Sequence, residues 1–539
     1  MNNNDRKNNG RKNIFLLATP DKLIYNKFII NFFGEIKMSF RKILCLLLTA
    51  AMLLTVFLPV SAAANVKNIP QIDMRGFMSY TIYEDKDDPD STPAFPPSAS
   101  KITQTVKELI PAMSSLAFSG DWDKFGEAVI PAINELMFPL GYGDNGEETY
   151  GTGVHFSYPT YEEVAGTMRT DFIYDWRADP FKSAEQLNDF VKYLTEDLGF
   201  EQVCIECHSY GGIVLLTYLS QYGTDKVYSC CFNASAVYGA AFAGELLKGD
   251  VNLSDDALTE FLKGLFSHND YELLLNSLAD AMKKAGLTGF VSDFVNDIFT
   301  KLSDTIWKNS IVPIFGNWPS IWALCPDEDF DEAYNFIFGR IFAGDGKDHS
   351  GLLEKINRYN TEVRSVREEK LDLINSETNM YVIARYGYYG VPLGSIWLAN
   401  TDTVLNTEAE SFGATCKSIS QEDIFDTSNK YVSPNGAIDA SSCLFPDQTW
   451  FIRNCKHTQK DDSINEFVSS LLHYDGQATI DTMEQYPQYL VFNAVFSNLS
   501  ADTDLNVTLY KDTFINRVAA FFTRIKDFFR SVFRCRVSA

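Results

Sequence analysis

One stretch of the chain has the residue types and spacing that covalent catalysis by a serine requires. Residues 203–207 are mostly apolar and predict a short strand, and residues 211–219 predict an apolar helix after a sharp turn. Ser209 lies in that turn, where the motif G-x-S-x-G holds a serine hydroxyl clear of a sheet. Gly211 fits the motif, whereas Cys207 replaces its first glycine with another small and often buried residue. Ser209 is therefore the predicted nucleophile.

A serine that attacks a carbonyl also needs hydrogen-bond donors for the oxyanion that forms. The backbone N–H of Tyr210, directly after the serine, is the predicted first donor. Residues 68–78 predict an early strand that ends in a Gly-containing loop, and a loop of this kind commonly provides the second donor. We assign that role to the N–H of Phe77, with Met78 as the neighbouring alternative.

Alternating strand and helix patterns surround the predicted nucleophile. Residues 172–177 and 227–236 predict strands on either side of it along the chain. A helix that opens at Ser183 leads towards the Ser209 turn. Alternation of this kind implies an α/β fold with a mainly parallel central sheet and helices on both faces.

The alternation stops in the middle of the chain. From Gly244 to Leu373, apolar residues recur at helical spacing, which predicts a large helical cap inserted at about 245–375. Aromatic residues in such a cap would line a pocket for an acyl chain. For most of these residues, packing of the cap onto the core is the simpler explanation.

Four segments together resemble one known family. They are 174–177 (Tyr-Asp-Trp-Arg), the helix start at 183–187, the turn at 208–212 and the stretch 233–244. They are similar to lecithin:cholesterol acyltransferase-like α/β-hydrolases, especially the secreted bacterial relatives, in patches from about 69 to 490. The resemblance implies an α/β-hydrolase fold, a Ser–Asp–His triad and ester or acyl-transfer chemistry, commonly on lipids.

The resemblance also suggests the other two triad residues. Asp402 matches the acid of the family's D-G-x-V segment, with Thr403 in place of the glycine, and would hold the imidazole in its correct tautomer. His457 follows a predicted strand at 449–453, in a Lys-His pair like the one found late in the family. The chain order of serine, acid and then histidine leaves His457 as the general base among six histidines.

The first 64 residues predict targeting signals instead of a folded domain. A basic start at Met38, an apolar run at 43–58 and small residues at 61–64 predict a cleavable secretory signal over 38–64. A retained membrane anchor is the alternative. We expect translation to start at Met38, with residues 1–37 an over-extended N-terminus, and a secreted or extracytoplasmic protein.

Composition limits the possible partners of the α/β-hydrolase domain expected at 65–510. The net charge of the chain is −25, which argues against nucleic acid as a partner because phosphate contacts require basic patches. The sequence contains no P-loop, dinucleotide fingerprint or metal-ligand cluster, so we expect no cofactor and no metal. Cys204 and Cys207 form a lone C-x-x-C on a predicted strand, which disfavours a metal or redox pair. No essential disulfide is expected.

Residues 511–539 form a basic tail. From Phe514 onwards apolar residues recur every three or four positions, and residues 517–539 contain six basic residues against one acid, Asp527. The pattern predicts an amphipathic helix that lies in a membrane interface, giving peripheral membrane contact. Docking onto the acidic body of the protein, or onto a second copy, is the alternative.

The leading prediction is a serine ester hydrolase or O-acyltransferase that forms an acyl-enzyme on Ser209 from a lipid or other acyl ester. A second possibility is an esterase for small esters, in which the cap only gates entry. A third, supported by Cys207 alone, is a catalytically inactive α/β-hydrolase fold that serves as a surface-binding module.

Overall fold

The computed structural model describes residues 69–268, 272–421, 423–494 and 497–503. The predicted N-terminal extension, the secretory signal and the tail helix at 511–539 lie outside the described residues. The folded body between them contains every predicted triad and oxyanion residue.

The described chain contains one large sheet and two small ones. In order, the strands are β1 Gln71–Met74, β2 Ile82–Tyr83, β3 Pro93–Phe95, β4 Arg169–Phe172, β5 Val203–Ser209, β6 Val227–Ser235, β7 Asn379–Tyr386, β8 Thr415–Cys416, β9 Ile438–Asp439, β10 Thr449–Arg453, β11 Tyr489–Asn493 and β12 Asn498–Ala501. The large sheet has the order β12-β11-β10-β7-β6-β5-β1-β4, and its neighbouring strands are parallel except β11 and β12. The prediction of an α/β fold with a mainly parallel sheet is confirmed.

Helices connect the strands. In order, they are α1 Ala99–Ser119, α2 Trp122–Met137, α3 Tyr161–Thr167, α4 Pro180–Lys192, α5 Gly211–Tyr222, α6 Ala241–Lys248, α7 Asp255–Phe266, α8 Glu272–Lys284, α9 Leu287–Lys301, α10 Ser303–Ile306, α11 Pro319–Ala323, α12 Asp327–Phe336, α13 Ser350–Glu362, α14 Arg367–Glu377, α15 Thr407–Glu410 and α16 Asp462–Leu472. Short 3₁₀ segments cover Phe138–Leu140, Arg364–Val366, Ile396–Leu398, Ala440–Ser442 and Pro446–Gln448, and π segments cover Tyr193–Asp197, Trp307–Gly316 and Ile337–Ile341. None of the described helices combines the length and apolar character needed to cross a membrane.

Helices bury both faces of the sheet, which is why its central strands are apolar along most of their length. Almost every residue of β5, β6 and β7 is buried. On one face, Leu187 of α4 and Val214 of α5 belong to the main hydrophobic core. On the other, Phe467 and Leu471 of α16 pack with strand residues such as Ile383. Helix packing on both faces of the sheet therefore holds β5 and the β5–α5 turn in place.

The chain between β6 and β7 forms the region predicted as a cap. Its described part contains the helices α6 to α14 and no strand. Trp318, fully buried in this region, donates its indole N–H to the carbonyl of Leu140 at 2.7 Å. Its ring also packs edge-on against Phe77 and Trp176. The helical insertion thus contacts the loop predicted to supply the second oxyanion donor.

The strand predicted at 172–177 was misplaced. The strand β4 occupies Arg169–Phe172, and the following residues turn away because Asp175 accepts the N–H of Arg177 at 3.0 Å and forms a 2.7 Å ion pair with its side chain. Apolar aromatic residues in this segment therefore reflect burial and not strand pairing. The next helix, predicted to open at Ser183, instead begins at Pro180 with Asp179 as its N-cap.

Candidate active site

Ser209 occupies a strained turn between β5 and α5. Its φ is +58°, a left-handed conformation that non-glycine residues seldom adopt. Two glycines let neighbouring elements approach this turn: a β-carbon at Gly211 would lie 3.2 Å from the carbonyl oxygens of Met74 and Arg75, and one at Gly212 would lie 1.8 Å from Ser235 Oγ. Small residues here are thus required by close packing of α5 on the strands beside it.

The loop after β1 lies directly against the serine. A β-carbon added to Gly76 would lie 2.3 Å from Ser209 Cβ and 2.7 Å from Ser209 Oγ. The next residue, Phe77, is held by edge-on ring contacts with Trp176 and Tyr210 at centroid distances of 5.1 and 6.3 Å. Tyr210 precedes the first turn of α5, where backbone N–H groups have no intrahelical partners. Both predicted oxyanion donors, Phe77 and Tyr210, therefore lie next to Ser209 in sequence or in space.

Asp402 and His457 form a buried hydrogen-bonded pair. His457 Nδ1 is in direct contact with Asp402 Oδ2, and the His457 backbone N–H donates to the Asp402 carbonyl at 2.6 Å. The other carboxylate oxygen, Oδ1, accepts the N–H groups of Val404 and Leu405 at 2.9 and 2.8 Å. Burial alone would raise the pKa of Asp402, but His457 and these hydrogen bonds hold it below its usual value. The carboxylate therefore stays ionised and orients the imidazole.

Ser209 and His457 line the same cavity, which has a volume of about 790 Å³. Within the described residues, no hydrogen bond joins Ser209 Oγ to the His457 imidazole. Hydrogen bonds between catalytic groups are often long in unliganded enzymes and shorten when substrate binds. The structure therefore brings Ser209 and His457 to one cavity, with buried Asp402 behind His457 and the acid–histidine contact formed.

Thr403 explains why glycine is usual after the acid. Its φ is +90°, which is strained for a β-branched residue, and its side chain is buried. Its N–H donates to Thr401 Oγ1 at 2.9 Å, so the turn is held despite the strain. The departure from the family's D-G-x-V segment is thus compatible with the Asp402 geometry.

Cys207 is also accommodated. It is fully buried within β5 and its Sγ donates to the Cys231 carbonyl at 3.4 Å. Burial raises the pKa of the Cys207 thiol well above its usual value, so the thiol stays neutral and unreactive. All eight cysteines in the described residues are free, including the strand pair Cys204 and Cys207. The position two residues before Ser209 therefore accepts a small side chain such as that of cysteine in place of glycine.

A second buried carboxyl group, Glu410, lies beside Asp402, and sequence reasoning missed it. Glu410 Oε2 accepts the N–H of Arg385 at 2.6 Å, while Oε1 has no other partner among the described residues. Burial and the neighbouring Asp402 charge raise the pKa of Glu410 well above its usual value. The carboxyl groups of Glu410 and Asp402 come within 4.8 Å of each other, so a neutral Glu410 can donate its proton towards Asp402. Asp402, Glu410 and His457 thus bring three potential metal ligands close together, and the atoms of Asp402 and His457 are engaged with each other.

Two further residues, the buried Arg385 and the half-buried His208, hold the loop that carries His457. Arg385 Nη1 donates to the carbonyls of Lys456 and His457 at 2.6 and 2.9 Å. His208 donates its Nε2–H to the same His457 carbonyl at 2.9 Å, and burial, together with His457, holds the pKa of His208 well below its usual value. An arginine at the end of the apolar strand β7 was the available sequence signal for this role.

Comparisons with known proteins gave no family assignment. No family model and no curated protein matches the chain. Among solved structures, a chain of the crystal structure of the Tle4–Tli4 complex is similar, with 13% sequence identity and a TM-score of 0.18. The match covers 33% of this chain and 48% of the other, so it spans about half the length of that relative. The fold described above therefore stands on the strand order and the packing of this chain.

Proposed function

We propose that the protein is a serine-dependent ester hydrolase or O-acyltransferase that acts on lipid or other acyl esters. The observation that carries this proposal is the strained Ser209 at the β5–α5 turn, in a cavity that is also lined by His457, the partner of buried Asp402. A serine, a histidine and a buried carboxylate constitute the machinery of acyl transfer on several unrelated folds, in different orders along the chain. The fit of Cys207 within β5 favours the enzyme over the alternative of a catalytically inactive binding module.

The proposed reaction proceeds through an acyl-enzyme. Ser209 Oγ attacks the ester carbonyl while its proton passes to His457 Nε2, and the N–H groups of Tyr210 and Phe77 bind the oxyanion. When the C–O bond breaks, His457 returns the proton to the leaving alkoxide. Water or an acceptor alcohol then attacks the acyl group with the same base, and Ser209 regains its proton.

The apolar part of the cavity lining, which we call the apolar wall, is suited to the acyl part of the substrate. It includes side chains from the loop after β1, the region between β6 and β7 and the loop after Asp402. The apolar members are Phe77, Ala240, Phe242, Leu324, Val404 and Leu405. Burial of a hydrocarbon chain against such a wall is favourable by about 0.8 kcal/mol per methylene group. We therefore expect kcat/KM to rise with acyl length over the first several carbons.

Labelling with a fluorophosphonate probe tests the proposal. The wild-type protein should label at Ser209, and Ser209→Ala should lose both labelling and ester turnover, the latter by about 10⁴-fold or more. Ser470→Ala, which changes an exposed serine on α16, is the matched control and should behave like the wild type. Strong labelling of Ser209→Ala would refute the assignment. p-Nitrophenyl esters of graded chain length then distinguish a lipid esterase from a small-ester esterase.

A further inference from the structure

The lining of the Ser209 cavity also contains a group of charged residues, which we call the charged wall. Three neighbouring strands place acidic residues in lateral register there, because Asp171 of β4 pairs with Asp73 of β1, and Asp73 pairs with Glu206 of β5. Residues in lateral register point to the same face of a sheet. All three line the cavity that contains Ser209, together with four basic residues, Arg75, Arg169, Arg385 and Lys460.

The charges on this wall balance one another. Arg169 forms a 2.8 Å ion pair with Asp73 and lies 3.8 Å from Glu206, and Arg75 lies 3.9 Å from Asp171. Three carboxyl groups thus lie among these cations, and the fourth cation, Arg385, is bound to the backbone carbonyls of Lys456 and His457. The carboxylates would repel a phosphate group, and the cations would repel a quaternary ammonium group. Neither kind of ion therefore complements the charged wall as a whole.

Alternating carboxylates and cations suit a group that both donates and accepts hydrogen bonds. A hydroxyl does both, whereas carboxylates only accept and arginine only donates. Glu206 also accepts the amide N–H of Asn233 at 2.8 Å, which fixes the direction of its carboxyl group. Glu206 precedes Ser209 by three residues on β5, a separation of about 10 Å along a strand. This places the charged wall within reach of a group attached to the ester oxygen.

We propose that the charged wall binds the alcohol part of the substrate and that this part is a neutral polyhydroxylated group, such as a sugar or another polyol. The inference rests on the proposed function, since it takes the Ser209 cavity as the place where an ester binds. The substrate is then an acylated polyol, with its acyl chain on the apolar wall and its hydroxyl groups on the charged one. Esters of simple alcohols leave the charged wall unused.

A non-hydrolysable ligand tests the inference without relying on catalysis. Calorimetry with the wild-type protein should show octyl glucoside, below its micellar concentration, binding at least tenfold tighter than 1-octanol. Octyl phosphate and octyltrimethylammonium, measured in the same way, test an anionic and a cationic head group on the same octyl chain. Tighter binding of either ion than of the glucoside would overturn the proposal, as would equal binding of the glucoside and octanol.

Substitutions locate the effect on the charged wall. Glu206→Gln keeps the acceptor for Asn233 but removes the carboxylate, and should lower the glucoside-to-octanol affinity ratio at least fivefold. Glu201→Gln, an exposed carboxyl near the start of the same strand, is the matched control and should keep the wild-type ratio. An unchanged ratio in Glu206→Gln, with the melting temperature of the wild type, would also overturn the proposal. Failure of the wild-type protein to react with the fluorophosphonate would contradict the proposed function and not the polyol site. The failure of one proposal can therefore be distinguished from the failure of the other.

Discussion

Asp402 and Glu410 place two carboxyl groups side by side where no solvent reaches either of them. Two adjacent buried carboxyl groups cannot both ionise at low cost, so one of them keeps its proton. His457 and two backbone N–H groups stabilise the charge on Asp402, and Glu410 is the group that stays neutral. The neutral acid can then donate to Asp402, much as a backbone N–H would. Glu410 is thus a positioning residue for the acid–histidine pair.

This arrangement predicts a pH dependence of stability. The pKa of Glu410 is raised in the folded state, so above pH about 4.5 the native protein binds a proton that the unfolded chain has lost. The contribution of Glu410 is therefore fully present at low pH and falls by up to about 1.4 kcal/mol per pH unit as pH rises towards its folded pKa. Glu410→Gln keeps a donor but cannot ionise, and should remove this slope in urea unfolding measured between pH 6 and 9.

The neighbouring Glu408 supplies the control for that measurement. Glu408 is exposed two residues away on α15, so Glu408→Gln should keep the wild-type dependence of unfolding free energy on pH. A Glu410→Gln protein with the same slope as the wild type would show that Glu410 does not hold a proton. The ester turnover of Glu410→Gln should change only as its folding stability changes, because the glutamine retains a hydrogen-bond donor near Asp402.

The sequence suggested the proposed reacting groups more readily than the residues that hold them. Ser209 and His457 could be proposed because a turn motif and the chain order of a triad are local or linear properties. Arg385 and Glu410 come together through β7, α15 and the His457 loop, which are distant in the chain. A buried arginine in an apolar strand signals a partner, but the sequence does not specify which backbone carbonyls it will bind.

At the level of elements, the site depends on how closely the loop after β1 approaches the β5–α5 turn. Gly76→Ala would place a methyl group 2.7 Å from Ser209 Oγ and 2.9 Å from the His208 carbonyl, the latter being backbone that cannot move easily. We expect a loss of about 1–3 kcal/mol in unfolding free energy from overpacking. Ester turnover should fall about 100-fold or more, since a displacement of about 1 Å near reacting atoms has effects of that size.

Gly166→Ala is the matched control for this change. Gly166 lies in α3, and a β-carbon there would meet no atom within 4 Å. Alanine is a better helix former than glycine, so stability should stay equal or rise by up to about 1 kcal/mol, with activity unchanged. Wild-type activity and stability in Gly76→Ala, measured by ester hydrolysis and urea unfolding, would contradict the close approach described above.

Strands and helices could be predicted from the sequence where the hydrophobic period of the residues agreed with their burial in the fold. The strand predicted at 449–453 matches β10 in full and the one predicted at 227–236 matches β6 to within one residue, because central parallel strands are apolar on both faces. The strand predicted at 172–177 was misplaced because the aromatic residues of this segment are buried by contacts other than strand pairing. Tyr174 donates to the Arg75 carbonyl at 2.6 Å, and Trp176 donates to that of Tyr80 at 2.9 Å. Burial in a loop and burial in a strand leave the same apolar signature over so few residues.

At the level of the whole molecule, charge is distributed unevenly along the chain. The chain is acidic overall, with a net charge of −25, whereas residues 517–539 contain six basic residues and only Asp527 as an acid. The tail lies outside the described residues, so its helix remains a prediction from spacing. An esterase of lipid-like substrates benefits from residence at a membrane surface, where its substrate is concentrated. We therefore propose that the tail provides peripheral membrane contact.

Removal of residues 514–539 should weaken binding to vesicles that contain phosphatidylserine, because each surface cation contributes roughly 1 kcal/mol on an anionic bilayer. Binding of the intact protein should also weaken with added salt and be poor on vesicles of phosphatidylcholine alone. Arg530→Glu, which keeps the tail but reverses one charge, should fall between the intact and the shortened protein in a co-sedimentation assay. If deletion instead lowers the melting temperature and leaves vesicle binding unchanged, the tail packs on the acidic body of its own chain, since loss of a docked helix costs folding stability and loss of a free one does not.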